Sequence, residues 1–225
     1  GGSRQAKSLS LRKIPPIPQR ESWKLASETN LSRLRRQNPN WSRLATFLQK
    51  KGFLLYRNTE AKYFGDGADY FEDLIQHLKA AETYIFLEYF IVAEGRIWDR
   101  VYEALKERAA AGVEVCLIFD DFGALTRFSD ATFQTIQKDG IAVEVFNPVH
   151  RYVNRIYFNY RDHRKIVVID GHVAYTGGIN IADEYANLQE RFGHWKDSAV
   201  MIKGNAVKSF ILMFLQIDQP ANINQ

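Results

Sequence analysis

The sequence predicts an α/β fold, in which a mixed and largely parallel sheet is flanked by helices on both faces as an α-β-α sandwich. Short runs of β-branched and aromatic residues alternate with stretches of helical periodicity. The connections between them are short, and the strand-like runs are of the buried type that a sheet covered on both faces requires.

In chain order, "KIPPIPQR" reads as a stiff extended linker. Residues 22–50 read as short amphipathic helices. The clearest is "NWSRLATFLQKKG", opening near Asn40 and stopped by Gly52. "LLYRNTEAKYF" is a short strand or hairpin. "DYFEDLIQHLKAAE" sets Phe71, Leu74, Ile75 and Leu78 on one helical face. "TYIFLEYFIV" (83–92) is a buried strand, and "IWDRVYEALKERAAAG" a helix ended by Gly112. The strand "VEVCLIFDD", the helix "DATFQTIQKDG" and the strand "IAVEVFNP" follow. "KIVVID" and "VAYTGG" are two strands joined at Asp170-Gly171, a common hairpin pair. "DSAVMIKG" is a last strand, and "NAVKSFILMFLQI" a closing helix with Asn205 as a plausible cap.

The 225 residues are 46% hydrophobic and 25% charged, enough for a sizeable core and unlike a disordered chain. The single cysteine, Cys116, lies in "VEVCLIF" and reads as a small buried hydrophobe. It excludes an internal disulfide and fits a reducing compartment. The longest apolar run, "FILMFLQI", is far below the ~20 residues a membrane helix needs. Net charge is +4 and uneven. Residues 1–50 hold eleven Lys/Arg against two Asp/Glu, so the remainder is mildly acidic. We therefore expect a basic, partly helical arm over 1–50 and an α/β domain over 51–225. Such an arm suits an anionic surface, a membrane or a nucleic acid, or is simply a solvated linker. The opening Gly-Gly-Ser has the look of a cloning scar, and the chain is expected to be part of a longer protein.

The chemistry concentrates in "NYRDHRKIVVIDGHVAYTGGIN", residues 159–180. Four charged residues with a histidine among them, Arg161 to Lys165, stand at the mouth of a buried aliphatic run. Residues two apart in a strand point to the same side, so His163 and Lys165 can face one pocket. Asp170 completes the spacing His-x-Lys-x-x-x-x-Asp. Gly177 and Gly178 would let backbone amides approach a ligand closely, and Asn180 adds a neutral donor. A neutral imidazole is a nucleophile near neutral pH, and a lysine ammonium is a fixed charge for a phosphate oxygen. Together they suit attack on a phosphodiester with stabilisation of its non-bridging oxygens. No metal-ligand spacing such as HExxH accompanies them, and no cofactor is expected. The plain alternative is an ordinary hairpin turn, a strand-end lysine and a hydrogen-bonded structural histidine.

The segment resembles the HKD motif of the phospholipase D superfamily. "YFGDG", "IFLEYFI", "GVEV", "FDDFG", "FNP", "NYRDHRKIVVIDG", "GGINIADEY" and "FGHWKD" occur in the order seen in bacterial cardiolipin synthases, over about residues 50–215. The resemblance implies a phospholipase D-like fold with the motif beside the sheet's end. It implies that His163 is the nucleophile that takes up a phosphatidyl group, that Lys165 binds phosphate, and that Asp170 orients or supports. Asn180 is then a phosphate-contacting amide. Asp197 of "HWKD" is the candidate for the carboxylate that holds the His163 imidazole, or else a strand-start charge. Glu88, in an apolar strand, is expected to face the pocket and pair with Arg161 or Lys165, since a buried lone carboxylate is expensive. The tripeptide at 121–123, DFG, lacks every companion motif of a protein kinase.

Family members act with two such motifs in one shared site, and only one is present here. His77-Leu-Lys79 comes nearest and reads as a solvated helix face. The resemblance therefore implies a second HKD half, from the same longer chain or a homodimer mate. Phosphatidylglycerol is the expected substrate, an anionic bacterial cell membrane the expected location, with the catalytic part on its cytoplasmic side. The implied activity makes cardiolipin from two phosphatidylglycerols through phosphohistidine. Two other readings stay open. One is a homodimeric phospholipase D-type nuclease, although no nucleic acid is expected as partner given the acidic balance of the α/β part. The other is a catalytically silent module that binds anionic lipid.

Overall fold

The computed structural model describes residues 19–120, 130–146, 163–190 and 193–217. Most of the proline-rich linker, the tripeptide at 121–123 and Arg161 lie outside them. The chain divides into two compact units: Gly1–Glu60 with Lys203–Gln225, and Ala61–Ile202.

Two strands bridge the division, β1 (Thr59–Phe64) and β7 (Ala199–Gly204). The elements of the second unit are α3 (Gly67–Lys79), β2 (Tyr84–Tyr89), α4 (Arg96–Ala110), β3 (Glu114–Asp120), α5 (Asp130–Lys138), β4 (Ala142–Phe146), β5 (Ile166–Ile169) and β6 (Val173–Gly177). A short 3-10 turn, Asp183–Ala186, follows β6. The sheet order is β1-β7-β6-β5-β2-β3-β4. β2, β3 and β4 run parallel, each pair joined through a helix. β5 is antiparallel to β2, and β6 to β5. The mixture follows from the connections: a helical crossover returns a strand parallel, whereas the three-residue link Asp170-Gly171-His172 can only make a hairpin.

The predicted helical stripe is the one buried. Phe71, Leu74, Ile75 and Leu78 of α3 are at most 4% exposed. Every residue of β2 and β5 is buried, as strands covered on both faces must be. Cys116 is a buried free thiol in β3. His77, expected on a solvated face, is instead half-buried: its Nδ1 lies 2.7 Å from Tyr175 Oη, which donates to Asp73 at 2.6 Å. Lys79 is exposed as expected.

The first unit contains α1 (Gln19–Gln37), α2 (Pro39–Lys50) and α6 (Val207–Ile217). α2 begins one position before the predicted start. Pro39 occupies the first helical turn, where its missing N–H costs nothing, and Asn38 caps the end by accepting from Trp41 N at 3.2 Å. The segment after α2 is pinned to α1. Ser27 Oγ accepts from Leu55 N (2.7 Å) and Gln49 Nε2 (3.1 Å), and Asn30 Nδ2 donates to Leu55 O (2.9 Å). No helix among the described residues is long and apolar enough to cross a membrane.

Candidate active site

The strand directions gather the candidate residues at one sheet edge. β5 starts where the parallel strand β2 ends, with Ile166 opposite Glu88. β6 ends there as well, with Thr176 opposite Ile166. His163 and Lys165 lead into β5, Gly177 to Asn180 leave β6, and Asp197 leads into β7. This is the carboxyl edge of β2 and β3, the edge at which α/β sheets hold ligands.

His163 is exposed, and its ring stacks on Phe90 with centroids 4.2 Å apart and planes 29° from parallel. The Lys165 ammonium lies 5.6 Å from the same Phe90 centroid and donates to His163 O at 2.6 Å. One aromatic ring thus contacts both motif side chains. Phe90 was not among the sequence candidates. Its signal was position: a large aromatic directly after a fully buried strand, on the edge where ligands sit.

Glu88 is 2% exposed near the carboxyl end of the apolar strand β2. Its expected partners were Arg161 or Lys165. Arg161 lies outside the described residues; among those described, Arg164 pairs with Glu88, Nε to Oε1 3.1 Å. Arg164 stands between the two motif residues, so this pair ties the backbone that carries them to the floor of the sheet. A desolvated carboxylate needs such a partner; the Glu88 side chain is 3% exposed, while the Arg164 side chain, 39% exposed, keeps contact with water.

The glycines serve the protein's own backbone. A Cβ on Gly177 would come within 2.4 Å of Ser198 O and 2.6 Å of Ala199 Cα. A Cβ on Gly178 would fall 2.1 Å from Asp197 Oδ1, and Gly178 N donates to Ser198 O at 3.0 Å. The expected approach to a ligand is therefore an approach to the residues entering β7. Asp197 lies against Gly178 and accepts from Ser198 N at 2.8 Å. No hydrogen bond links it to His163.

Asn180 is buried, with both ends of its amide engaged: Oδ1 accepts from Ile91 N (2.9 Å) and Nδ2 donates to Tyr185 Oη (2.9 Å). The bonds Ala93 N to Ile181 O (2.8 Å) and Ile181 N to Ile91 O (3.2 Å) zip the same two segments together. Asp183 then receives Arg96 N (3.0 Å) and Ile97 N (2.8 Å), closing the amino end of α4. Asn187 holds the main chain of Trp195 from both sides, accepting from its N at 2.7 Å and donating to its O at 3.0 Å. The stretch after β6 is thus a brace that fixes the rim of the site.

Asp170 stands apart. It lies at the other end of β5, at φ 53°, and its carboxylate receives Glu82 N (2.9 Å), Thr83 N (2.7 Å), Thr83 Oγ1 (2.7 Å) and Tyr84 N (3.1 Å). Partial burial alone would raise its pKa, but the hydrogen bonds from Thr83 and the three amides outweigh that and hold it below the usual value. Among the described residues no group of His, Cys, Asp and Glu could hold a metal ion.

Comparison with known proteins agrees with this architecture. The family described as cardiolipin synthase, PLD-like domain, matches residues 74–208. A Streptococcus mutans protein is 43% identical over 98% of this chain and 47% of its own length. The cardiolipin synthase of Listeria welshimeri is 34% identical over 75% of this chain and 35% of its own. The chain thus spans about half or less of these curated relatives. The crystal structure of Nuc from Salmonella typhimurium, a phospholipase D family member, shares the fold with a TM-score of 0.51 at 18% identity, covering 71% of this chain and 92% of its own. With the family match extending over more than half of its residues, the chain belongs to the phospholipase D-like domains of the cardiolipin synthase family.

Proposed function

We propose that this chain supplies one histidine–lysine half of a site for phosphatidyl transfer, making cardiolipin from two phosphatidylglycerols. The observation that carries the reading is the stacking of an exposed His163 on Phe90 with Lys165 over the same ring, at the carboxyl edge of the sheet. His163 attacks the phosphorus of one phosphatidylglycerol. The phosphorus–oxygen bond to the headgroup breaks, and glycerol leaves with a proton from a second histidine in the other half-site. The phosphatidyl group is then held on the imidazole, its charge met by Lys165. A hydroxyl of a second phosphatidylglycerol gives its proton to that second histidine and attacks the phosphorus. Cardiolipin forms and His163 is regenerated. Asp170 acts here as a positioning residue for the β5–β6 hairpin, and Asn180 and Asp197 as supports of the rim. The second histidine–lysine half belongs to the remainder of the longer protein or to a homodimer mate.

The direct test is incubation of this chain with phosphatidylglycerol vesicles, alone and with the downstream half of the longer protein, followed by mass spectrometry. Cardiolipin and glycerol only in the combined reaction support the reading. Cardiolipin from the chain alone means that two copies share one site. Cleavage of DNA by the chain, without lipid products, overturns it in favour of a nuclease.

Phe90 gives a finer test. Phe90→Ala frees the imidazole and the ammonium at once, and turnover by the assembled enzyme is expected to fall about a hundredfold, the scale of a ~1 Å misplacement. Phe90→Tyr keeps the stacking face and is expected to retain most activity. A Phe90→Ala enzyme with unchanged turnover means that the ring merely fills space.

A further inference from the structure

Among the described residues, the first unit carries an exposed apolar face. Trp41 is 62% exposed, Phe47 56% and Phe53 64%, with Leu44 and Leu48 exposed beside them. Leu34, Trp41, Leu44, Leu48, Phe53 and Leu55 line a shallow groove along α2 and the segment after it. Trp41, Leu44 and Leu48 recur at i, i+3 and i+7, one side of a helix. The surrounding charge has one sign. From Thr29 to Thr59 the chain holds seven Lys/Arg and no Asp or Glu. One of those cations, Lys51, lies 5.8 Å from the centre of the exposed Phe47 ring.

We propose that this face is a docking surface for an anionic lipid bilayer, with α2 lying in the plane of the interface. Charge and apolarity together select the occupant. A headgroup layer offers phosphates to Arg43, Lys50 and Lys51, and the acyl boundary beneath it takes up Trp41, Leu44, Phe47 and Phe53. Lys and Arg reach outward past apolar neighbours while keeping their charge in the headgroups. A nucleic acid would satisfy the cations and leave Leu44 and Leu48 in water. α2 has 12 residues, or about 18 Å, too short to span a bilayer and suited to lying on one. The surface would bring the phosphatidylglycerol-bearing membrane to a chain that uses that lipid. It deepens the proposed function without depending on the chemistry at His163, because binding rather than turnover reports it.

The experiment is cosedimentation of the chain with three kinds of vesicle: phosphatidylcholine alone, phosphatidylcholine with phosphatidylglycerol, and phosphatidylcholine with phosphatidylserine. Binding to the two anionic vesicles, equal in strength and weakened by salt, is expected, with little to the neutral ones. Trp41→Ser with Phe53→Ser should weaken binding about tenfold at every salt concentration. Arg43→Gln, Lys50→Gln and Lys51→Gln together should weaken it about fivefold per charge and flatten the salt dependence. Trp41→Tyr keeps an amphipathic ring and should bind as wild type. These side chains are exposed, so each variant should melt at the wild-type temperature, which circular dichroism checks. Binding confined to phosphatidylglycerol and indifferent to Trp41 and Phe53 places the contact at the lipid-processing site and overturns the proposal. So does the absence of vesicle binding, or retention of duplex DNA that the Trp41/Phe53 variant leaves unchanged.

Discussion

Replacing His163 with asparagine is expected to abolish phosphatidyl transfer by the assembled enzyme, by roughly 10⁴-fold or more, the scale on which loss of a covalent nucleophile is felt. The substitution is mild for the fold. His163 is exposed, and its described contacts are the face of Phe90 and a hydrogen bond that its carbonyl oxygen accepts from the Lys165 ammonium. An asparagine amide can still lie on that ring, and the carbonyl is unchanged. Stability should therefore stay within about 0.5 kcal/mol of wild type. What asparagine lacks is a ring nitrogen that can take phosphorus and give it up again. Intact-mass spectrometry of enzyme quenched at neutral or higher pH should find one phosphatidyl group on the wild-type chain and none on the variant. Retention of activity within tenfold, with the fold intact, would sink the nucleophile assignment. A variant that loses activity while still gaining the adduct would move the nucleophile to another residue.

The parts of this site that were legible in the sequence are those governed by periodicity. The His-x-Lys spacing singles out His163 and Lys165 together, and the structure sets both side chains against Phe90. The run from Tyr84 to Tyr89 forecasts a buried strand, and it is buried throughout. What periodicity could not supply is partner choice across long separations. Glu88 required a cation, and three candidates stood within five residues of one another. The irregular entry to β5 turned Arg164 toward it, and no spacing rule reaches into a segment without strand geometry. The glycine pair at 177–178 suggests close approach of a ligand, but a sequence cannot say what packs against it. Here it is the chain entering β7, 20 residues on. Phe90 was overlooked because an aromatic at the end of an apolar strand reads first as core. Only the strand order, with β5 inserted beside β2, sets it under the histidine.

The motif writes its histidine, lysine and aspartate on one line, and the fold separates them by the length of β5. Asp170→Ala is accordingly expected to damage stability rather than chemistry. Its carboxylate gathers four donors from Glu82, Thr83 and Tyr84 just where β2 begins, and its backbone sits at φ 53°, a left-handed conformation that asparagine and aspartate tolerate and alanine does not. Loss of a charged cap of this kind costs about 1–2 kcal/mol and the backbone strain about 1 more, so a deficit of about 2–3 kcal/mol is expected in urea unfolding at neutral pH. The deficit should depend on pH in a defined direction. The folded carboxylate titrates below its ordinary value of 3.8, so its contribution is fully present above that value. It is lost as pH falls through the folded pKa, and the gap between wild type and variant should narrow only in that acid range. Asp170→Asn keeps the left-handed backbone and one acceptor oxygen and should recover part of the loss. At a temperature where both remain folded, Asp170→Asn should turn over substrate nearly as fast as wild type. A collapse of turnover in a fully folded Asp170→Asn enzyme would show that the aspartate reaches the chemistry after all. Its distance along β5 would then have to be bridged by the β5–β6 hairpin as a rigid lever, since Gly177 and the brace beyond it begin where β6 returns to the edge that carries His163.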